Sequence, residues 1–151
     1  MKILGIFHSG TDPSAALMVH GRIISFIEEE RLIRVKHASG KFPIHAIEAV
    51  LKESNVRLSD IDYIAQAWDC RLYDSGKMKN HFGRINRLYK TVAQDKAYQN
   101  KHLSLFKEQR QKEIIYSALR KHYGDVKFPP VIFVNHHFAH ACLAYFHSGF
   151  K

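Results

Sequence analysis

Short apolar segments separated by turn-forming residues occupy the first part of the chain. Residues 2–8, 15–20 and 23–28 have the length and pattern of three β-strands. Gly21-Arg22 between the last two is typical of a hairpin turn. A fourth strand is predicted over 61–67, after the turn-like residues 57–60. The pattern therefore predicts a three-stranded antiparallel meander followed by a separate strand.

Apolar residues recur at helical spacing in three further segments. The repeating positions are Ile44, Ile47, Val50 and Leu51 in the first, Phe82, Ile85, Leu88 and Val92 in the second, and Ile115 and Leu119 in the third. Pro43 suits the start of the first helix, and Gly124 suits the end of the third, predicted from about Glu108 to His122. A buried strand over 129–134 and a final helix complete the pattern. This order predicts an α/β fold of the ribonuclease-H-like half-lobe type, with a helical insertion.

The composition is that of one globular domain. The 151 residues are 46% hydrophobic and 12% aromatic, enough for a sizeable core, so we expect a single domain over 1–151. No apolar run is long enough to span a membrane, and the first residues lack a signal-peptide pattern. The two cysteines share no motif spacing, as expected for reduced thiols. We therefore expect a cytoplasmic protein.

The net charge of +9 is concentrated in the middle of the chain. Between Arg71 and Lys127 there are 14 Lys or Arg and 5 Asp or Glu, a difference of +9, whereas the other residues hold 9 of each. Such a segment (about 71–127) is either a basic surface for nucleic acid or a solvated helical insertion. We favour the insertion, because the basic residues are scattered among Asn and Gln.

Two histidines carry the clearest candidate chemistry. His136 and His140 are one helical turn apart, so both imidazoles can reach a single transition-metal ion. They follow the predicted strand over 129–134 directly, where α/β folds tend to place their sites. A pair with this spacing also arises by chance in a chain that holds 11 histidines.

Two other segments are candidates for anion binding. The loop over 7–16 is rich in small polar residues, among them Ser14, and could bring amides and hydroxyls to a phosphate or carbamoyl group. By itself it is better explained as an ordinary turn. The run 28–37 is dense in charge: Arg31 and Lys36 are either anion-binding cations oriented by glutamates or members of a solvated, self-neutralising cluster.

Taken together, these segments resemble the NodU/CmcH-type O-carbamoyltransferases of nodulation-factor and antibiotic biosynthesis. The matching segments are 4–6, 12–17, 21–23, 28–37, 42–43, 60–62, 67–69, 135–141 and 144–150. The Glu-Glu-Glu-Arg run at 28–31 and the His-His-x-x-His run at 136–140, in this order, are the specific part. The basic segment lies outside the resemblance.

The resemblance implies a two-lobed, actin-like catalytic domain of the Kae1-like type. In this family, carbamoyl phosphate and ATP form a carbamoyl-adenylate, which donates its carbamoyl group to a hydroxyl of a sugar or antibiotic-like acceptor. By similarity, His136 and His140 would bind a divalent metal, iron(II) being the expected ion, that acts as a Lewis acid. Lys36 would stabilise developing negative charge, with Asp12 and Thr11 as the other catalytic candidates and Ser14 and Arg31 as cofactor-binding ones. His137 would be structural.

The chain departs from the family pattern in two ways. Thr11 stands where the family usually has a histidine near the reacting carbamoyl group, and threonine cannot act as an acid or base at neutral pH. Either His8 takes that part or the activity is altered. The family also continues into a second lobe and an adenylate-forming domain. We therefore expect an amino-terminal fragment, inactive alone, whose partner is the rest of its own chain.

Two other functions remain open from the residues. One is a threonylcarbamoyl-type relative that acts on tRNA, in which the basic segment would contact phosphates. The other is a binding module with this fold but no catalysis, which Thr11 favours. The acceptor is not encoded in any recognisable pocket motif.

Overall fold

Five strands form one mixed sheet in this computed structural model, which describes residues 1–8, 10–88 and 96–149. The strands are β1 (Lys2–Phe7), β2 (Ser14–Val19), β3 (Arg22–Glu28), β4 (Tyr63–Gln66) and β5 (Val131–Phe133). Their spatial order is β3-β2-β1-β4-β5. β2 is antiparallel to β1 and β3, whereas β4 is parallel to β1 and β5. The predicted α/β class, ribonuclease-H-like strand order and antiparallel meander are confirmed.

Seven α-helices accompany the sheet within the described residues. They are α1 (Glu29–Ile33), α2 (Ile44–Glu53), α3 (Arg71–Asp74), α4 (Lys77–Leu88), α5 (Lys96–Leu105), α6 (Glu108–Tyr123) and α7 (His136–His147). Short 3-10 helices cover Lys36–Ala38 and Leu58–Asp60. The pattern predicted α2, α4, α6 and α7, while Val92, assigned to the second helix, lies outside the described residues. The described part contains no helix with the length and apolar character needed to cross a membrane.

The chain divides into two compact units, one of residues 1–68 with 116–151 and one of residues 69–115. In the first unit, alternate residues of β1 and β2 point to one face of the sheet, where Leu4 and Leu17 are fully buried. α2 presents Ile47 and Val50, also fully buried, and contacts β2 and β3. Burial of a side chain of this size stabilises a fold by about 1.5–3 kcal/mol, so this layer is the main core of the unit.

The second unit is built around aromatic rings from three helices. The His102 ring lies 4.5 Å from the ring of Phe106, 6.0 Å from that of Tyr73 and 6.4 Å from that of Phe82, centroid to centroid. Asn86 of α4 and Gln99 of α5 exchange two amide hydrogen bonds of 2.9 Å. Aromatic packing together with a paired polar contact therefore joins α4 to α5.

Candidate metal site

The histidine pair lies where three parallel strands end. β1, β4 and β5 run in the same direction, so their carboxyl ends share one edge of the sheet. The Val134 amide donates to the Gln66 carbonyl over 2.9 Å and extends the pairing past the strands. The Asn135 side chain then accepts the Phe138 N–H over 2.9 Å, which caps α7. The prediction that His136 opens a helix at the end of a strand is confirmed.

The two imidazoles face each other across one turn of α7. Their Nε2 atoms are 3.0 Å apart. The Nδ1 atom of His136 lies 3.3 Å from the Ala67 carbonyl oxygen. A carbonyl can only accept, so His136 carries its proton on Nδ1 and its Nε2 has a free lone pair, to which the His140 Nε2–H donates. Ala67 thus holds His136 in the tautomer that a metal ligand needs.

The spacing of these nitrogens matches a chelating pair. Metal–imidazole bonds of about 2.1 Å at a right angle place the two nitrogens about 3.0 Å apart, against about 3.4 Å for a tetrahedral angle. The observed 3.0 Å is short enough for both nitrogens to reach one ion. To bind it, His140 would transfer its proton from Nε2 to Nδ1 and turn its Nε2 from His136 towards the ion. Among the described residues, no third Asp, Glu, His or Cys offers an atom within 4.8 Å of both imidazoles.

An open cavity of about 340 Å³ brings four of the predicted site residues together. Its lining comprises Phe7, Thr11, Asp12, Ala67, His136, Ala139, His140 and Leu143. Ser14 lines a neighbouring cavity of about 240 Å³ that shares Phe7, Ala67 and Ala139 with the first. Lys36 and Arg31 line neither cavity. The two cavities thus bring the candidate metal ligands together with the loop residues, whereas the two candidate anion-binding cations do not line either cavity.

Asp12 is nevertheless joined to the residue that follows Lys36. The Asp12 amide donates to the His37 carbonyl, and its carboxylate Oδ1 lies 2.9 Å from His37 Nδ1. The His37 amide donates to Glu30 Oε2 over 2.6 Å. The Asp12 hydrogen bond, together with the carboxylate charge, raises the pKa of His37. Asp12, Glu30 and His37 place ligand atoms within 4.8 Å of one another, but these atoms already bind within the cluster.

Arg31 lies on the solvent side of this charged run. Its side chain is 67% exposed, with Nε 3.1 Å from Glu28 Oε2 and one terminal nitrogen 3.4 Å from Glu30 Oε1. Exposed pairs of this kind contribute about 0–1 kcal/mol to stability. The contacts are those of a self-neutralising surface cluster, and anion binding by Arg31 stays a prediction.

Glu29 is the residue of this run that the sequence did not single out. Its side chain is 1% exposed and accepts hydrogen bonds from His45 Nδ1 over 2.6 Å and from the Ala46 amide over 2.8 Å. These donors belong to the first turn of α2, whose amides have no partner inside the helix. The Glu29 amide donates to the Pro13 carbonyl, one residue after Asp12. Glu29 therefore ties α2 to the site loop.

His8 does not replace the missing histidine. Its ring packs against Phe42, 5.4 Å between centroids, and does not line the cavity of Thr11 and Asp12. Its buried Nε2 has no hydrogen-bond partner among the described residues. Burial lowers the pKa of His8 from 6.5 to about 4. The imidazole is therefore a neutral packing group.

The low pKa of His8 predicts a pH-dependent stability. The unfolded chain takes up this proton near pH 6.5 and the folded chain only near pH 4, so stability is complete above pH 6.5 and falls below it. The His8 contribution to this loss is on the order of 3 kcal/mol as an upper bound. Urea unfolding from pH 7 to 4.5 should show a flatter profile for His8→Leu than for the wild type. His81→Leu, which alters an exposed histidine, should keep the wild-type slope; an equal change in both variants would refute the assignment.

Comparison with known sequences decides the family. The sequence profile of the carbamoyltransferase N-terminus family matches residues 2–151. The chain belongs to this family. It is 35% identical over 141 residues to the nodulation protein NolNO of Sinorhizobium fredii, covering 93% of this chain and 18% of that protein. It is 32% identical over 152 residues to an uncharacterized protein of Synechocystis sp., covering 98% and 23% respectively.

The chain spans less than a quarter of the length of these two relatives. Among solved structures, it is similar to YeaZ from Pseudomonas aeruginosa with a TM-score of 0.47 and 16% sequence identity, covering 98% of this chain and 50% of YeaZ. The resemblance inferred from the sequence motifs is confirmed at the level of the family.

Proposed function

We propose that this chain supplies half of the metal site and one wall of the carbamoyl site of an O-carbamoyltransferase. The observation that carries the proposal is the Nε2–Nε2 distance of 3.0 Å between His136 and His140, in the cavity that Thr11 and Asp12 line. Carbamoyl phosphate and ATP would be the substrates that form carbamoyl-adenylate, and a hydroxyl of a sugar or antibiotic-like molecule would be the acceptor. Iron(II), held by the two imidazoles and a carboxylate from the rest of the protein, would supply Lewis-acid chemistry.

In the proposed transfer, the acceptor oxygen bonds to the carbamoyl carbon as the bond from that carbon to the adenylate oxygen breaks. AMP leaves, and the acceptor proton passes to a base. We assign Asp12 as this base, because Asp12 lines the cavity and His37 holds its carboxylate by a hydrogen bond. The Thr11 hydroxyl would donate a hydrogen bond to the carbamoyl group but take up no proton. Lys36, one residue from His37, would offset the negative charge of the departing nucleotide.

The deciding experiment assays the full-length protein for pyrophosphate release from ATP. Release should require carbamoyl phosphate, and Asp12→Asn should slow transfer to a hydroxyl acceptor by about 100-fold or more, the usual effect of losing a general base. Thr11→Ser, which retains the hydroxyl, should change the rate little. Pyrophosphate release without carbamoyl phosphate would refute the donor, and absence of release under all conditions would favour a non-catalytic binding module.

A further inference from the structure

The basic segment does not carry its charge evenly. Residues 75–107 contain eight Lys or Arg and one Asp, a net charge of +7. α4 and α5 hold no acidic residue. The described carboxylates of the second unit belong to Asp69, Asp74, Glu108 and Glu113, all outside these two helices. The helical pair therefore concentrates the positive charge of the unit.

Ion pairing inside the second unit reinforces this separation. Asp69 pairs with Arg71 at 2.8 Å, Glu108 with Lys112 at 2.6 Å and Glu113 with Arg110 at 3.1 Å. Asp74 accepts the Glu108 amide. The six cations of α4 and α5 make no ion pair among the described residues, and all six are exposed: Lys77, Lys79, Arg84, Arg87, Lys96 and Lys101. These six are available to a ligand.

Three of the four cations of α4 form a stripe opposite its packed face. Lys77, Arg84 and Arg87 are seven and then three residues apart, so they share one side of the helix, while Phe82 and Ile85 lie on the half-buried side. The stripe is about 15 Å long, which is the axial length of about four base pairs of duplex. We propose that the α4–α5 surface, defined by these six cations, binds the sugar–phosphate backbone of a nucleic acid.

Neighbouring side chains favour a nucleic acid over other polyanions. Asn80, His81 and Asn100 are exposed on the same two helices and can donate to phosphate or sugar oxygens. Tyr98 is 58% exposed and offers a ring for base stacking. Membrane insertion would need an exposed apolar helix face, and the apolar side of α4 instead packs within the unit, with Phe82 against His102. This inference does not depend on the proposed carbamoyl transfer.

Fluorescence anisotropy with a labelled 20-nucleotide RNA and a 20-base-pair duplex tests the proposal on the chain itself. Between 50 and 200 mM salt, we expect the affinity to fall about 40-fold or more for the duplex and about 20-fold or more for the single-stranded RNA, as for three or more phosphate contacts. The triple variant Lys77→Glu, Arg84→Glu and Arg87→Glu should bind at least about 10-fold more weakly at low salt. Lys41→Glu, Lys52→Glu and Lys121→Glu together make the same charge change at exposed sites of the first unit and should bind within about 2-fold of the wild type.

The neutral triple variant, with Gln at positions 77, 84 and 87, guards against loss of folding. It should retain the wild-type circular dichroism and still show a reduced affinity and salt slope. An equal loss of affinity in the α4 triple Glu variant and in the control triple Glu variant would mean that nucleic acid is attracted by net charge only. That result would overturn the proposal. Displacement by poly-glutamate of matched charge at equal concentration would assign the surface to acidic polypeptides, and preferential binding to anionic vesicles would assign it to membranes.

Discussion

Replacement of His136 or His140 with alanine is expected to weaken the binding of a divalent metal by at least about 30-fold. Loss of a residue that only holds a metal ligand in place already weakens metal binding by about 10–100-fold, and loss of the ligand itself should do no less. The reason is geometric: the two Nε2 atoms, 3.0 Å apart, act as one chelate, and a single imidazole cannot replace it. Calorimetric titration with Fe(II) under anaerobic conditions, and with Co(II) in air, measures the effect. His137→Ala is the matched control, because His137 lies between the two histidines in the sequence and its side chain is exposed in the same helical turn. It should bind metal as the wild type does.

The absolute affinity of the isolated chain is informative as well. Two imidazoles are fewer ligands than a protein metal site normally has, so we expect a dissociation constant of roughly 10 µM or weaker. A nanomolar value would mean that this chain supplies a third strong ligand, contrary to the proposed site. An equal loss of affinity in His137→Ala would show that the metal binds to the exposed histidines of α7 in general.

The meander and the position of the histidine pair were predictable because each depends on local pattern. Apolar alternation in 2–8 and 15–20 and the Gly21-Arg22 turn leave little choice of pairing. The strand over 129–134 is shorter in the structure, Val131–Phe133, because Pro129 and Pro130 have no N–H to donate to a ladder. The four-residue spacing of His136 and His140 places their side chains next to each other once the helix forms.

Other parts depend on contacts that no local pattern encodes. α5 was not predicted because a buried amide, Gln99, and a ring, His102, occupy positions where a periodic helix would show aliphatic residues. α1 and α3, with five and four residues, are too short for periodicity to detect. His8 lies outside the cavity and packs against the ring of Phe42, which is 34 residues away along the chain.

The three consecutive glutamates show the limit of sequence reasoning most clearly. Glu28, Glu29 and Glu30 have the same chemistry, and only the fold distinguishes them. Glu28 is paired with an exposed Arg31, Glu30 accepts the His37 amide, and Glu29 is buried against the first turn of α2. Arg31 makes the contacts of a solvated, self-neutralising cluster, whereas Glu29 is buried and lies outside such a cluster.

Glu29→Ala is expected to destabilise the fold by about 3 kcal/mol or more. The substitution leaves the buried Ala46 amide without its acceptor, which costs about 1–3 kcal/mol, and it removes a charge-assisted bond to His45 as well as the packing of the side chain. Glu29→Gln retains one acceptor oxygen and the volume, so its loss should be about half as large. Urea unfolding at constant m-value measures both.

Glu28→Ala is the control, since it removes a carboxylate of the same run whose partner Arg31 is 67% exposed, and it should cost less than about 1 kcal/mol. A local readout separates this role from general destabilisation. The Glu29 amide bonds to the Pro13 carbonyl, so loosening of α1 in Glu29→Ala should affect the site loop first. Amide hydrogen exchange should become faster at Asp12 and in the first turn of α2 under conditions where exchange in β1 is unchanged. Uniform acceleration across the sheet, or equal losses for Glu28→Ala and Glu29→Ala, would contradict the role of Glu29 as the tie between α2 and the site loop.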